Sequence, residues 1–148
     1  MGVDVRQEVR TGRSLRIVLL LVALASLSQA CAPQEAQPPL QSTSWTLVSL
    51  GPEEEPSPAL DTAEVTIEFD AGEVSGSAGC NLYFGSYADE PDGAFSVDNL
   101  AWTERACLEP GVMEQEQMYL DTLLAAESYS VVDGTLRIAG EGHVLLFS

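Results

Sequence analysis

The feature that most constrains this chain is a series of short β-strand patterns, separated by turn signals, along its C-terminal two thirds. Val65, Ile67 and Phe69 alternate with polar residues, which is typical of a strand buried on one face. Further on, Asp133-Gly134 separates two more strand patterns, and this dipeptide strongly favours a hairpin turn. Seven or eight such strands in roughly 105 residues predict one small, mostly antiparallel β domain.

One segment has helical spacing instead. Pro110 and Gly111 precede it, and residues 112–127 contain no further glycine or proline. Apolar residues recur there at three- and four-residue steps, with polar residues largely on the opposite side. The apolar set is Val112, Tyr119, Leu120, Leu123 and Leu124, and the polar set is Glu114, Gln115, Gln117 and Asp121. The predicted fold is therefore α+β and mostly β, a small antiparallel barrel or sandwich with one packed helix.

The first 30 residues have the order of a secretory signal peptide. Four arginines precede an apolar run from Ile17 to Leu27, and Ser28-Gln29-Ala30 supplies small residues two apart. This run is shorter than the ~20 residues that span a bilayer, so a retained transmembrane helix is the weaker interpretation. The sequence predicts export to the cell envelope.

Cys31 follows the signal directly and resembles the lipidated cysteine of bacterial lipoproteins. The typical pattern has leucine three residues before the cysteine, where this chain has Ser28. Ordinary cleavage after Ala30 is the alternative. Lipid attachment at Cys31 is preferred because it accounts for an odd thiol in an oxidising compartment, and it would associate the protein with a membrane. Residues 31–42 are polar and proline-rich and are predicted as a tether, with the folded domain at 43–148.

The charge of the mature chain restricts its partners. Without residues 1–30, two arginines, no lysine and 21 acidic residues remain, a net charge of −19. Nucleic acid and anionic membrane surfaces are thereby excluded as partners of the folded domain. A solvated acidic surface is the simplest account of this charge.

Cys80 and Cys107 are the two internal cysteines. In an oxidising compartment, two cysteines of a small domain usually pair, so a disulfide between them is predicted. Two buried free thiols remain the alternative, because cysteine is among the most frequently buried residue types.

No constellation of catalytic or metal-binding residues is recognisable. The single histidine, His143, lies far from any cysteine, and Ser75 stands where a nucleophile elbow requires glycine. We therefore predict no enzymatic activity, no metal and no cofactor. Asn81, Tyr83 and Tyr87 are the residues that would matter in a pocket, although filling the barrel is their preferred role.

Several motifs form one pattern along the mature chain. They are Trp45-x-Leu47, Gly76-x-x-Gly79-Cys80-Asn81-x-x-x-Gly85-x-Tyr87, Thr103-x-x-Ala106-Cys107, Met113-Glu114, Leu120-x-x-Leu123 and Gly134-x-Leu136. This pattern resembles the META domain, also called the HslJ type, over residues 43–148. Arg105 departs from it, since a hydrophobic residue is commoner there. The resemblance implies a lipocalin-like antiparallel β-barrel with one packed helix, mostly in bacterial envelope proteins and without established catalytic activity.

The predicted function follows from this resemblance. It is that of a non-enzymatic cell-envelope protein with a stress-related or binding role, whose partner is an unknown small ligand or another envelope protein. The chain is expected to be a monomer. The alternative is a carrier that holds a small apolar molecule inside the barrel. The motif residues expected to support the fold are Trp45, Gly79, Asn81, Tyr87 and Thr103.

Overall fold

The structure is a computed structural model, and it describes residues 36–148. This part contains nine strands and one helix: β1 Thr43–Pro52, β2 Ser57–Pro58, β3 Thr66–Asp70, β4 Glu73–Ser77, β5 Leu82–Asp89, β6 Phe95–Trp102, α1 Val112–Leu124, β7 Ser128–Val132, β8 Thr135–Gly140 and β9 His143–Phe147. The predicted signal peptide at 1–30, the predicted lipid site at Cys31 and the first residues of the predicted tether lie outside the described residues.

Neighbouring strands pair antiparallel in the order β6-β5-β4-β3-β1-β9-β8-β7, and β2 pairs with β1 beside this path. The two ends of this order approach each other. Ala94 and Ser128 form a bridge, and the Tyr129 N–H donates to the Gly93 carbonyl over 2.8 Å. The sheet therefore curls toward a barrel. The predicted fold class, a small antiparallel barrel with one packed helix, is confirmed.

A β-bulge in β1 decides which of its side chains enter the core. Leu47 pairs with Phe147 on β9 and Ser49 pairs with Leu146, so the register shifts by one residue between them. Side chains alternate along a strand, and a bulge therefore changes which later residues point inward. Leu47 and Leu50 are both buried, whereas the sequence alternation alone would place Ser49 inside.

Aromatic and aliphatic side chains of the strands and of α1 pack together in one core on the inner face of the curled sheet. Phe69, Tyr83, Tyr119 and Phe147 are each at most 2% exposed. The ring of Phe69 packs edge-on against Phe95, with the ring centroids 6.1 Å apart, a favourable aromatic geometry. This packing supports the interpretation that these residues fill the barrel, and it counts against a ligand held in its interior.

Helix α1 packs on β1, β6, β8 and β9. The predicted apolar residues Val112, Tyr119, Leu120 and Leu123 are buried. The predicted face was wrong at two positions, because Gln115 is buried and Leu124 is 45% exposed. Glu116 is buried as well, so the face toward the core includes polar residues. Within residues 36–148, no helix is both long and apolar enough to cross a membrane.

The segment before β1 packs on the domain. Leu40 is fully buried, and its N–H donates to an Asp89 carboxylate oxygen over 3.0 Å. The Tyr129 hydroxyl donates to the Pro38 carbonyl, and the Gln37 side chain accepts from a backbone N–H of β7. Among the described residues, 37–42 are therefore part of the folded domain, although the sequence pattern assigned them to the tether at 31–42.

Candidate functional site

The disulfide between Cys80 and Cys107 joins the β4–β5 connection to the loop before α1. The two Cα atoms are 6.0 Å apart, within the usual range for a disulfide. The structure thus makes the pairing that the sequence predicts. With a separation of 27 residues, the chain-entropy model gives about 3.5 kcal/mol of stabilisation. The bond holds the long loop at 103–111 against the sheet.

Directly beside the disulfide, the carboxylate of Glu116 is buried, with 4% of the residue exposed. Its Oε2 accepts the backbone N–H groups of Cys80 at 3.2 Å and Asn81 at 2.7 Å. Its Oε1 accepts the side-chain amide of Asn81 at 2.7 Å. Burying a carboxylate is costly without such donors. Here three neutral donors compensate that cost, and they tie α1 to the β4–β5 connection.

Asn81 uses the whole hydrogen-bonding capacity of its side chain. Its Oδ1 accepts from the Thr103 hydroxyl and from the Arg105 backbone N–H, each over 2.7 Å. Its Nδ2 donates to the Arg105 carbonyl at 3.0 Å and to Glu116. We call this cluster, formed by Asn81, Thr103, Glu116 and the backbones of Cys80 and Arg105, the Asn81–Glu116 centre. It joins three segments that are distant in sequence.

Glu116 was not predicted from the sequence, although a signal existed. Val112, Glu116, Tyr119 and Leu123 follow one another at four-, three- and four-residue steps, so Glu116 occupies the apolar stripe of α1. A carboxylate at such a position indicates a buried partner. The partners come from Cys80 and Asn81, 36 and 35 residues earlier in the chain. Local spacing therefore gave no means of identifying them.

Two tyrosines form a second polar contact in the core. The hydroxyls of Tyr83 and Tyr119 are 2.6 Å apart, and Tyr83 also donates to the Thr66 carbonyl over 2.9 Å. Since Tyr83 has one hydroxyl proton, Tyr119 is the donor between the two rings. Burial raises the pKa of both hydroxyls well above the usual value near 10. Both therefore stay neutral near pH 7 and act as structural hydrogen-bonding groups.

The other predicted motif residues also have structural surroundings. Trp45 is half-buried against the core, and its indole N–H donates to the Thr43 hydroxyl over 2.9 Å. The ring of Tyr87 packs edge-on against Phe69, with centroids 4.8 Å apart. Burial, together with Asp89 and Asp70, raises the Tyr87 pKa.

Gly79 shows why the Gly-Cys-Asn motif begins with glycine. Its φ of +105° is a conformation that side chains with a Cβ rarely adopt. A Cβ there would also lie 3.3 Å from the side chain of Ala63. The tight backbone at Gly79 directs the next two N–H groups, those of Cys80 and Asn81, toward Glu116.

The Asn81–Glu116 centre has no group left over for chemistry on a substrate. Buried side-chain nitrogen and oxygen atoms of the described residues all have hydrogen-bond partners. No group of three histidine, cysteine or acidic residues within 36–148 is placed to hold a metal ion. The centre can therefore fix the geometry of the fold.

A groove of about 640 Å³ lies on the surface beside α1. It runs between the outer side of the helix and the turn that joins β8 to β9. Its lining residues are Met113, Glu114, Gln117, Met118, Asp121, Thr122, Ala125, Gly140, Glu141 and His143. A smaller hollow of about 230 Å³ shares Glu114 and Met118 with this groove and continues toward β1 and β2. We call the larger one the α1 groove.

Comparison with solved structures finds the same fold in other proteins. An NMR structure of a protein from Burkholderia xenovorans is similar with a TM-score of 0.65 and 28% identity, covering 82% of this chain and 93% of that one. A crystal structure of a DUF4847 family protein from Bacteroides vulgatus has a TM-score of 0.52 and 16% identity, covering 74% of this chain and 93% of that one. The latter similarity concerns the fold alone.

Sequence comparisons give the family. Among curated proteins, no significant match is found. The family model of the META domain matches residues 38–148, a range that begins next to Gln37, which packs on the barrel. The match thus covers the disulfide, the Asn81–Glu116 centre and α1 together. The chain belongs to the META domain family.

Proposed function

We propose that this protein is a non-enzymatic domain of the cell envelope that acts by binding through its surface. The observation that carries the proposal is the disulfide between Cys80 and Cys107. Such bonds persist in oxidising compartments outside the cytoplasm. A signal-like segment at 1–30 supports the same location.

The absence of catalysis is proposed from how the polar groups are used. Asn81 and Glu116 satisfy each other and the neighbouring backbone, and Tyr83 and Tyr119 form a closed pair within the core. A catalytic group must reach a substrate with a proton, a lone pair or a nucleophile. None of these four side chains offers a free group in the described structure.

Attachment through a lipid on Cys31 is the preferred way to hold the domain at a membrane. Gln37 already packs on the domain, so only residues 32–36 would separate the anchor from it. Five extended residues span at most about 17 Å. The domain would therefore stay close to the membrane surface, with less freedom than the longer predicted tether would give.

If the protein is a carrier, its ligand must bind at a different site from the barrel interior that the sequence predicts. Side chains fill the barrel interior, so a small ligand would bind on the outside, beside α1. A stress-related role is proposed from the family resemblance. It is tested by comparing the survival of a deletion strain at raised temperature, with and without the wild-type gene.

One thiol count tests export, disulfide and anchor together. The full chain has three cysteines. Alkylation of the unreduced protein from its native host should add no label, because one thiol would carry the lipid and two would form the disulfide. One label would support the disulfide and refute lipidation. Three labels would refute both the lipid and the disulfide, and with the disulfide the observation that carries the proposed location.

Membrane fractionation provides the matched control. Replacing Cys31 with serine should move the protein from the membrane fraction to the soluble exported fraction. Unchanged membrane retention of this variant would contradict the anchor.

A further inference from the structure

We propose that the α1 groove binds a small organic cation with an apolar body, such as an aromatic or branched amine. This inference rests on the proposed binding role and adds the class of ligand. Four features of the groove support it: its exposed methionines, its acidic rim, the positions of the two arginines and its size.

The floor of the groove is apolar and adaptable. Met113 is 37% exposed and Met118 is 41% exposed, although both are large apolar residues. Methionine side chains adjust their shape to varied apolar surfaces and are frequent at binding sites of broad specificity. The adjoining hollow continues this apolar surface, since Leu50 and Leu60 line it together with Met118. Exposed apolar area of this extent suits the body of an organic ligand.

The rim of the groove is negative. Glu114, Asp121 and Glu141 line it, and no arginine or lysine does so. Gln117 donates to Asp121 over 2.8 Å, which holds that carboxylate on the same side of α1. An ammonium group of a bound ligand would lie among these carboxylates while its apolar body covers the methionines. A ligand of the opposite charge would be repelled.

Neither arginine of the folded domain lines the groove. Arg137 forms an ion pair with Glu53 in the turn after β1. Arg105 lies in the loop beside the disulfide, where its backbone contacts Asn81. Arg137 also lines a small hollow together with Glu141, so Glu114 and Asp121 are the carboxylates that lie in no pocket with an arginine and face an incoming cation. The net charge of −19 on the mature chain raises the local concentration of cations further.

The size of the groove favours a compact molecule over a protein segment. Its volume of about 640 Å³ is in the middle of the range that small-molecule sites occupy, roughly 300 to 1,000 Å³.

A set of three probes with the same apolar body tests the proposal. The full chain carrying Cys31→Ser is exported, so that the disulfide forms without a lipid, and is titrated with pyrenylmethylammonium, pyrenylmethanol and pyrenecarboxylate. Pyrene fluorescence reports binding. We expect the cation to bind about tenfold more tightly than the alcohol at low salt, and the carboxylate to bind most weakly. Salt at about 0.5 M should remove most of the difference between cation and alcohol.

Exposed substitutions separate charge from apolar contact. The double substitution Glu114→Gln with Asp121→Asn should weaken binding of the cationic probe about tenfold and change the affinity for the alcohol by less than twofold. Met118→Ala should weaken the binding of both the cationic probe and the alcohol. The matched control removes two carboxylates outside the groove, Glu73→Gln with Asp133→Asn, and should change neither affinity by more than twofold.

Three results would overturn the proposal. Equal weakening by the control pair would show that cations bind the acidic surface in general. Equal affinity of all three probes would remove the role of the rim. A stable dimer that binds no probe would make a second copy of the chain the occupant of the groove. These results are independent of the proposed location, which the thiol count tests separately.

Discussion

Substitution of Glu116 by glutamine should destabilise the domain strongly although it preserves the shape of the side chain. The carboxylate accepts three hydrogen bonds, and both of its oxygens are acceptors. An amide has only one oxygen. If that oxygen accepts the N–H groups of Cys80 and Asn81, the new amide nitrogen faces the Asn81 Nδ2 at about 2.7 Å, and both are donors.

Rotation of the Asn81 amide cannot relieve this mismatch. In the native orientation its Oδ1 accepts from Thr103 and from the Arg105 N–H, while its Nδ2 donates to the Arg105 carbonyl. A flipped amide would set nitrogen against the Arg105 N–H and oxygen against the Arg105 carbonyl. The substitution therefore leaves at least one buried donor unsatisfied and makes two other bonds neutral. Together these losses cost about 3 kcal/mol.

Urea unfolding of the oxidised protein measures this loss. Glu114→Gln is the matched control, because it removes the same charge from the exposed side of α1. We expect it to change the free energy of unfolding by less than about 0.5 kcal/mol. If Glu116→Gln lies within that limit of the control, the hydrogen-bonding account of the centre is wrong.

A second substitution tests the geometry by reversing the mismatch. Asn81→Asp alone places two carboxylates about 2.7 Å apart in a buried site and should destabilise the domain more than Glu116→Gln does. In the double variant that combines Asn81→Asp with Glu116→Gln, the amide nitrogen at position 116 can donate to the carboxylate at position 81. The double variant should therefore be more stable than Asn81→Asp alone, by at least about 1 kcal/mol. An additive or larger loss would refute the proposed arrangement of donors and acceptors.

Three further predictions concern the rest of the fold. Burial raises the pKa of Tyr83 and Tyr119, so above pH ~10 these hydroxyls lose their protons only when the protein unfolds. In urea unfolding at increasing pH, the free energy of unfolding should therefore fall by about 1.4 kcal/mol per pH unit for each tyrosine. Tyr119→Phe should reduce that slope. Replacing both Cys80 and Cys107 with serine should lower the free energy of unfolding by about 3.5 kcal/mol in the same assay. An unchanged free energy of unfolding would contradict the chain-entropy account of the disulfide. Leu40→Ala should lower the free energy of unfolding by about 2–5 kcal/mol, whereas Gln41→Ala, at an exposed position, should leave it unchanged. If the two variants were equally stable, the segment around Leu40 would not be packed on the domain.

The strands of this fold were predictable because their signals are local. Alternation at Val65, Ile67 and Phe69 gave one strand, and the Asp133-Gly134 turn gave the β7–β8 hairpin that the structure contains. Gly76, the first residue of the Gly-x-x-Gly-Cys-Asn motif, permits a close backbone approach. A Cβ there would lie 2.1 Å from the Thr66 carbonyl oxygen. Each of these features depends on residues that are adjacent in sequence or on backbone sterics.

The rest of the structure depends on partners that are distant in sequence. The β1 bulge is set by pairing with β9, almost a hundred residues later, so alternation in β1 alone gave the wrong inward residue. Proline and polar residues around Leu40 suggested a tether, yet its contacts with Asp89 and β7 hold that segment on the barrel. Glu116 depends on the same kind of distant contact, since it needs the N–H groups beside the disulfide.

The two sides of α1 separate the stability of the domain from the binding role proposed for it. Glu114 and Glu116 are two residues apart, which places their side chains about 200° apart around the helix. Glu116 lies among buried donors, and Glu114 lines the solvent-exposed groove. A substitution on the outer side can therefore change cation binding while the free energy of unfolding stays nearly constant, and a substitution on the inner side should do the reverse. If Glu114→Gln and Glu116→Gln changed both quantities in parallel, the groove and the Asn81–Glu116 centre would be one coupled unit, and the assignment of binding to the outer side alone would fail.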